Sequence, residues 1–139
     1  MTVSAPRGMI TQFREGAREI AMAESLGQKQ RRFARAIPRL IDMVHTLGLE
    51  CTIGDVFRDP RAFGHYGAKR AYSSAHSNHK LKLAIDLNLF RKNGRYLSST
   101  SSHRELGLWW MAQGEDHEWG GAHGRSDGNH YSIRHQGRW

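Results

Sequence analysis

The sequence predicts an α+β fold, a small antiparallel sheet with helices packed on it. Three observations carry that prediction. Phe33, Ile37, Leu40, Ile41, Val44 and Leu47 recur at helical spacing and make one apolar stripe. "LECTI" and "LAIDLNLF" have the length and apolar pattern of strands. Helices and strands do not alternate strictly along the chain, as they would around a parallel sheet.

The elements follow in order. Residues 1–27 read either as a helix lined by Phe13, Ile20, Met22 and Leu26 or as a loosely held arm. A helix follows from Gln28 to Leu47, with Gly48 at its C-terminal cap. Pro38 lies inside it, removes one backbone hydrogen bond and should kink or split it. Leu49, Cys51 and Ile53 alternate in a strand that runs toward Arg58. Residues 59–78 are rich in Gly, Ser and His with no sustained period. They read as a long loop, of a length that compact domains keep for function or leave disordered. "LAIDLNLF" is the second strand. Asn93-Gly94 is a hairpin turn, so Arg95 to Leu97 pairs back as a third. "HRELGLWWMAQG" is a short helix ending at Gly114. A Gly-rich loop, "EDHEWGGAHGRSDGN", leads to a last strand, "HYSIRH".

Composition narrows the function classes. The 139 residues suit one domain over the whole chain. Hydrophobic residues make up 38%, and the mean hydropathy is -0.68. No run approaches the roughly 20 apolar residues of a spanning helix. The N-terminus lacks the apolar centre of a secretory signal, which leads us to expect residence in the cytoplasm. Cys51 is the one cysteine, so neither an intrachain disulfide nor a cysteine zinc site is available, and it reads as a small core residue. The net charge of +8 implies attraction to a polyanion: nucleic acid, anionic lipid or an anionic wall polymer. Part of it sits in "KQRRFARAIPR", where Lys29, Arg31, Arg32, Arg35 and Arg39 meet no acidic residue. A solvated helix face accounts for that stretch equally well.

The chemistry centres on Asp86, which interrupts the apolar run of "SNHKLKLAIDLNLF". A lone buried carboxylate is costly, so it needs a partner. With a period of two, Ile85, Leu87 and Leu89 face the core, and Ala84, Asp86, Asn88 and Phe90 face the other way. In the last strand Tyr131 and Ile133 face one side, and His130, Ser132 and Arg134 the other. Two strands thus each present one metal-ligating side chain. His79 lies seven residues before Asp86; a loop through "HKLKLA" must fold it back over the strand for the two to meet. Two histidines and a carboxylate leave one tetrahedral position of a zinc ion open, the catalytic rather than the structural pattern. Peptide hydrolysis also needs a base, and Asp127, three residues before His130 in "DGNH", is placed for it. Arg58 is the candidate cation for an oxyanion or a substrate carboxylate.

These residues carry a resemblance. "SNHKLKLAIDL" fits S-x-H-x(6)-D, and "EWGG" followed by "DGNH" fits an acidic residue and a histidine ligand. Together they resemble the zinc peptidases of bacterial peptidoglycan: D-alanyl-D-alanine carboxypeptidases, D,D-dipeptidases and phage endolysins with L-alanyl-D-glutamate peptidase activity. The resemblance covers roughly residues 30–135. It implies the fold of the Hedgehog signalling domain, His79, Asp86 and His130 as zinc ligands, Asp127 as catalytic base and Ser77 as a substrate or supporting contact. It also favours Arg58, through "GDVFRDP". The family pattern often has glycine where this chain has Lys82, and glutamate where it has Asp127. A short chain without a signal fits an endolysin best, held in the host bacterial cytoplasm until it reaches the wall and acting as a monomer. A virion-associated wall enzyme fits the same residues.

Blander readings stand beside these. His76 is a rival ligand, His123 and His135 read as surface or supporting groups, and His103 and His117 as solvent-exposed. Trp109, Trp110 and Trp119 suggest a sugar platform, but Trp110 reads better as core and Trp119 as a brace behind the site. Asp127 before Gly128 is also an ordinary turn pair. Two other function classes remain. A basic nucleic-acid module would leave the His/Asp set unexplained. A zinc protein that only binds would have no use for Asp127.

Overall fold

The computed structural model describes residues 24–71 and 73–139. Of the segment expected as an N-terminal helix or arm, residues 1–23 lie outside the described residues. Helix α1 spans Leu26–Thr46. Ser25 and Gln28 close a reciprocal capping box at its start, each side chain accepting from the other's backbone N–H. Its buried stripe is Phe33, Ala36, Leu40 and Val44. Pro38 does not split the helix. It sits on the exposed face together with Ala34, whose carbonyl would have accepted from residue 38, so water can answer the orphaned group. Just past Leu47, Gly48 takes φ +76, a left-handed turn that suits glycine.

Five strands make one antiparallel sheet in the order β1-β2-β5-β4, with β3 paired to β2. They are β1 (Leu49–Ile53), β2 (Ala84–Arg91), β3 (Tyr96–Leu97), β4 (His117–Trp119) and β5 (His130–Ile133). At the β2–β3 turn Arg91 N–H donates to the Arg95 carbonyl, and Gly94 takes φ +88. The coarse class is therefore the predicted one. Three local expectations need correction. β1 ends at Ile53, so Arg58 lies beyond the strand. The Gly-rich stretch before the last strand contains β4, three residues held by pairing to β5. The 59–78 segment also carries a short helix, α2 (Pro60–Phe63), capped by Asp59.

Helix α3 (Arg104–Ala112) and α1 cover one face of the sheet. Ile85, Leu87 and Leu89 from β2, and Tyr131 and Ile133 from β5, join the α1 stripe, Leu106 and Trp110 in one buried cluster. Cys51 is half-buried at its margin, and burial raises its thiol pKa. Gly107 on α3 admits the Trp119 indole: a Cβ there would stand 2.1 Å from the ring. Trp119 in turn donates its Nε1–H to the Gly128 carbonyl at 2.7 Å, bracing the turn that carries Asp127. Alanine outranks glycine in helices by about 1 kcal/mol. Here the collision decides the sign, and Gly107→Ala should destabilise by about 1–3 kcal/mol, the cost of overpacking. A urea midpoint equal to or above wild type would show that Trp119 can move aside.

His103 and His117 are buried, at 3% and 8% exposure, and not in solvent as the sequence suggested. His103 Nδ1 lies 2.8 Å from the Tyr131 hydroxyl. The His117 ring packs 4.1 Å from that of Trp110. Burial pushes the His103 pKa down to about 4 and that of His117 down as well. An unfolded chain protonates its histidines near 6.5, so below that pH it binds more protons than the native state. Stability should fall as the pH drops from about 6.5 to about 4. The His103 share is on the order of 3 kcal/mol at 1.36 kcal/mol per pKa unit. His103→Gln should flatten that slope in urea titrations at pH 7 and pH 4.5; an unchanged slope would assign it to other groups.

Candidate metal centre and its cleft

On the sheet face away from the helices, Asp86 and His130 are direct partners in the β2–β5 register. The alternation that buries Ile85 and Tyr131 therefore puts these two side chains side by side. His79 reaches them from a 3-10 turn, Asn78–Leu81, capped by the Ser77 hydroxyl accepting from His79 N–H. Asn78 fastens that turn to the sheet, donating to the carbonyls of Ile133 (2.9 Å) and Arg138 (3.0 Å). Lys82 then returns the chain into β2 with φ +58. The peptidases that the sequence resembles often have glycine at this position, and the backbone does what glycine does most easily.

The donor atoms converge. Asp86 Oδ1 lies 3.2 Å from His79 Nε2 and 3.4 Å from His130 Nδ1, and all three ligand atoms fall within 4.8 Å of one another. Two ligands 2.0–2.1 Å from a tetrahedral zinc stand about 3.3 Å apart, so these spacings suit the ion. His79 Nδ1 is 2.9 Å from the Val56 carbonyl. A proton there donates to that carbonyl and leaves Nε2 with a free lone pair, the usual way a ligating histidine is oriented. Nε2 is buried, and Asp86 is the partner it faces among the described residues. Burial works to raise the Asp86 pKa, but pairing with His130 and His79 outweighs it and holds the carboxyl well below its usual range. A half-buried, ionised carboxylate between two buried imidazoles fits a cation better than it fits an apolar sheet face.

Around this group lies an open cleft of about 400 Å³. The six candidate site residues all line it: Arg58, Ser77, His79, Asp86, Asp127 and His130. Asp127 Oδ2 is 4.0 Å from His130 Nδ1, beside the group and outside it. Backbone bonds fix its turn, Asp127 N–H to the Gly120 carbonyl and His130 N–H to the Asp127 carbonyl, both 3.1 Å. Among the described residues its carboxylate caps nothing in that turn and is 57% exposed to the cleft and solvent. A residue kept only for the turn would be expected to bond its own backbone. Arg58 is anchored on Asp55 (3.3 Å) and donates to Ser77 Oγ (3.0 Å), so it supports the turn of His79 while lining the cleft.

The rival histidines are elsewhere or otherwise engaged. His76 lines the cleft but packs on Tyr66 and is not among the converging ligands. His123 is exposed, and His135 meets Lys29. Trp139 was not anticipated. Its ring stands edge-on to His130 at 5.5 Å and carries the Arg125 guanidinium 3.6 Å over its face, making an aromatic wall of the cleft. The tail returns to the site through the Asn78 bond, a contact with no local sequence signal.

No family model matches the sequence, and no curated protein matches it.

Proposed function

We propose that the protein is a zinc-dependent peptidase of bacterial peptidoglycan stem peptides, of the phage endolysin type, cutting between L-alanine and D-glutamate. The observation that carries this reading is the convergence of His79, Asp86 and His130 with Asp127 at their edge. Zinc held by the three ligands would supply a Lewis acid and lower the pKa of a water to about 7. The chain's own residues do the rest. Asp127 accepts a proton from the attacking water and returns it to the leaving amine. Arg58 holds a substrate carboxylate or the developing oxyanion, and Ser77 keeps its guanidinium in register. Trp139 limits the cleft on the His130 side. The basic surface favours an anionic wall, and monomeric action after release from the host cytoplasm is part of the same proposal.

The test is mass spectrometry of purified peptidoglycan fragments incubated with the protein, with and without a chelator. Chelator-sensitive stem peptides that begin at D-glutamate are the expected product. Loss of a single alanine would instead make it a D-alanyl-D-alanine carboxypeptidase on the same residues. Unchanged masses with zinc bound would leave a zinc protein that binds without turnover.

A further inference from the structure

The arginine-rich stretch of α1 takes no part in the metal cleft. It forms one wall of a second groove between α1 and α3, on the helix side of the sheet, with a volume of about 270 Å³. Arg32, Arg35 and Arg39 line it from α1, with Trp109 and Gln113 from α3 and His117 from β4. Arg32 is already satisfied, held by Glu24 at 2.9 Å and by Asp116 at 2.6 Å. Arg35 and Arg39 differ. They are exposed, one helical turn apart, and meet no carboxylate among the described residues. Like charges at that spacing repel, and no described residue offsets that repulsion. Two further features point to a ligand. Trp109 offers a partly exposed ring. His117 lines the groove, and its Nδ1 is buried with no hydrogen-bond partner among the described residues, a position that calls for an explanation.

We propose that this groove binds a phosphorylated sugar, its phosphate between Arg35 and Arg39 and its ring against Trp109. Guanidinium groups present planar forks that match phosphate oxygens. An indole offers a flat apolar surface to the C–H face of a sugar ring, while Gln113 supplies an amide for hydroxyls. The volume lies just under the roughly 300–1,000 Å³ of drug-sized pockets, which suits one sugar-phosphate unit. Single-stranded nucleic acid is disfavoured, because stacking successive bases takes a row of aromatic platforms and this groove exposes one. Binding here does not depend on the metal chemistry across the sheet.

The experiment titrates the full chain with glucosamine 6-phosphate, glucosamine, inorganic phosphate and single-stranded DNA. Indole N–H resonances are followed by NMR, and Trp109→Phe identifies the reporting signal. Glucosamine 6-phosphate should shift the Trp109 resonance saturably, with or without chelator. Glucosamine and inorganic phosphate should bind at least ten-fold more weakly. Arg35→Gln combined with Arg39→Gln should weaken sugar-phosphate binding at least ten-fold at an unchanged melting temperature. Retention on a soluble sugar-phosphate polymer would name the wall as source, and retention on vesicles bearing a phosphosugar headgroup would name a lipid. Equal binding of inorganic phosphate, tighter binding of DNA, or full binding by the double variant would each overturn the proposal.

Discussion

Asp127→Ala should keep its zinc and its fold and lose 10²–10⁴ in turnover of wall fragments, the usual share of a general base. The geometry separates the two halves of that result. The carboxylate is 57% exposed and caps nothing in its turn, so removing it should change stability by no more than about 0.5 kcal/mol. It is not among the converging ligand atoms, and at 4.0 Å from the His130 ring nitrogen it is near enough to reach a water placed there. Asp127→Asn keeps the shape and removes the basicity, and should be nearly as slow. Asp127→Glu lengthens the arm to that common in the peptidases the sequence resembles; since the backbone here is held by Gly120 and braced by Trp119, it should recover only part of the rate. The measurement is kcat on a soluble muropeptide, with metal content and melting temperature on the same samples. Full activity in the alanine variant would remove Asp127 from the mechanism. Lost activity together with lost zinc would make it a structural support of His130 instead.

The candidate metal group was legible because two strands follow the simplest rule in sheet geometry. A period of two placed Asp86 and His130 opposite the core residues beside them, and a fixed face needs no tertiary knowledge. Their direct pairing in register was not legible, since nothing local to either strand names its partner. The return of His79 was anticipated as a fold-back. Its device was hidden, because Lys82 at φ +58 is a residue that rarely signals a left-handed turn. β4 escaped notice because three residues among glycines carry no period to read; its pairing to β5 makes it a strand. His103 and His117 were misplaced for a related reason. A polar residue type suggests solvent, whereas Tyr131 and Trp110 supply partners from distant parts of the chain. Trp139 shows the limit most plainly, since its place beside His130 depends on Asn78 holding the tail 60 residues away.

Asp86→Asn should lose the metal, and with it all chelator-sensitive activity. The change is nearly isosteric, so it tests charge rather than space. In the wild type Asp86 Oδ1 sits between two imidazole nitrogens at 3.2 and 3.4 Å, and a divalent ion there gains a full negative charge from it. A neutral amide supplies only a dipole. Changing the partners that merely orient ligands costs about 10–100-fold in metal affinity, and replacing a charged ligand should cost more. Stability gives a readout independent of turnover. Binding confined to the native state stabilises it by about 4 kcal/mol at 1,000 times Kd. For a domain of this size that is a shift of roughly 10 °C. A chelator should therefore lower the melting temperature of the wild type and leave that of Asp86→Asn where it is. His130→Ala should likewise bind no zinc. Because it also opens a space beside Trp139, its melting temperature should fall further than that of Asp86→Asn. One zinc per chain retained in either variant would move the ligand set to His76, the other histidine of the cleft. A wild-type melting temperature indifferent to both zinc and chelator would remove the metal from the site altogether.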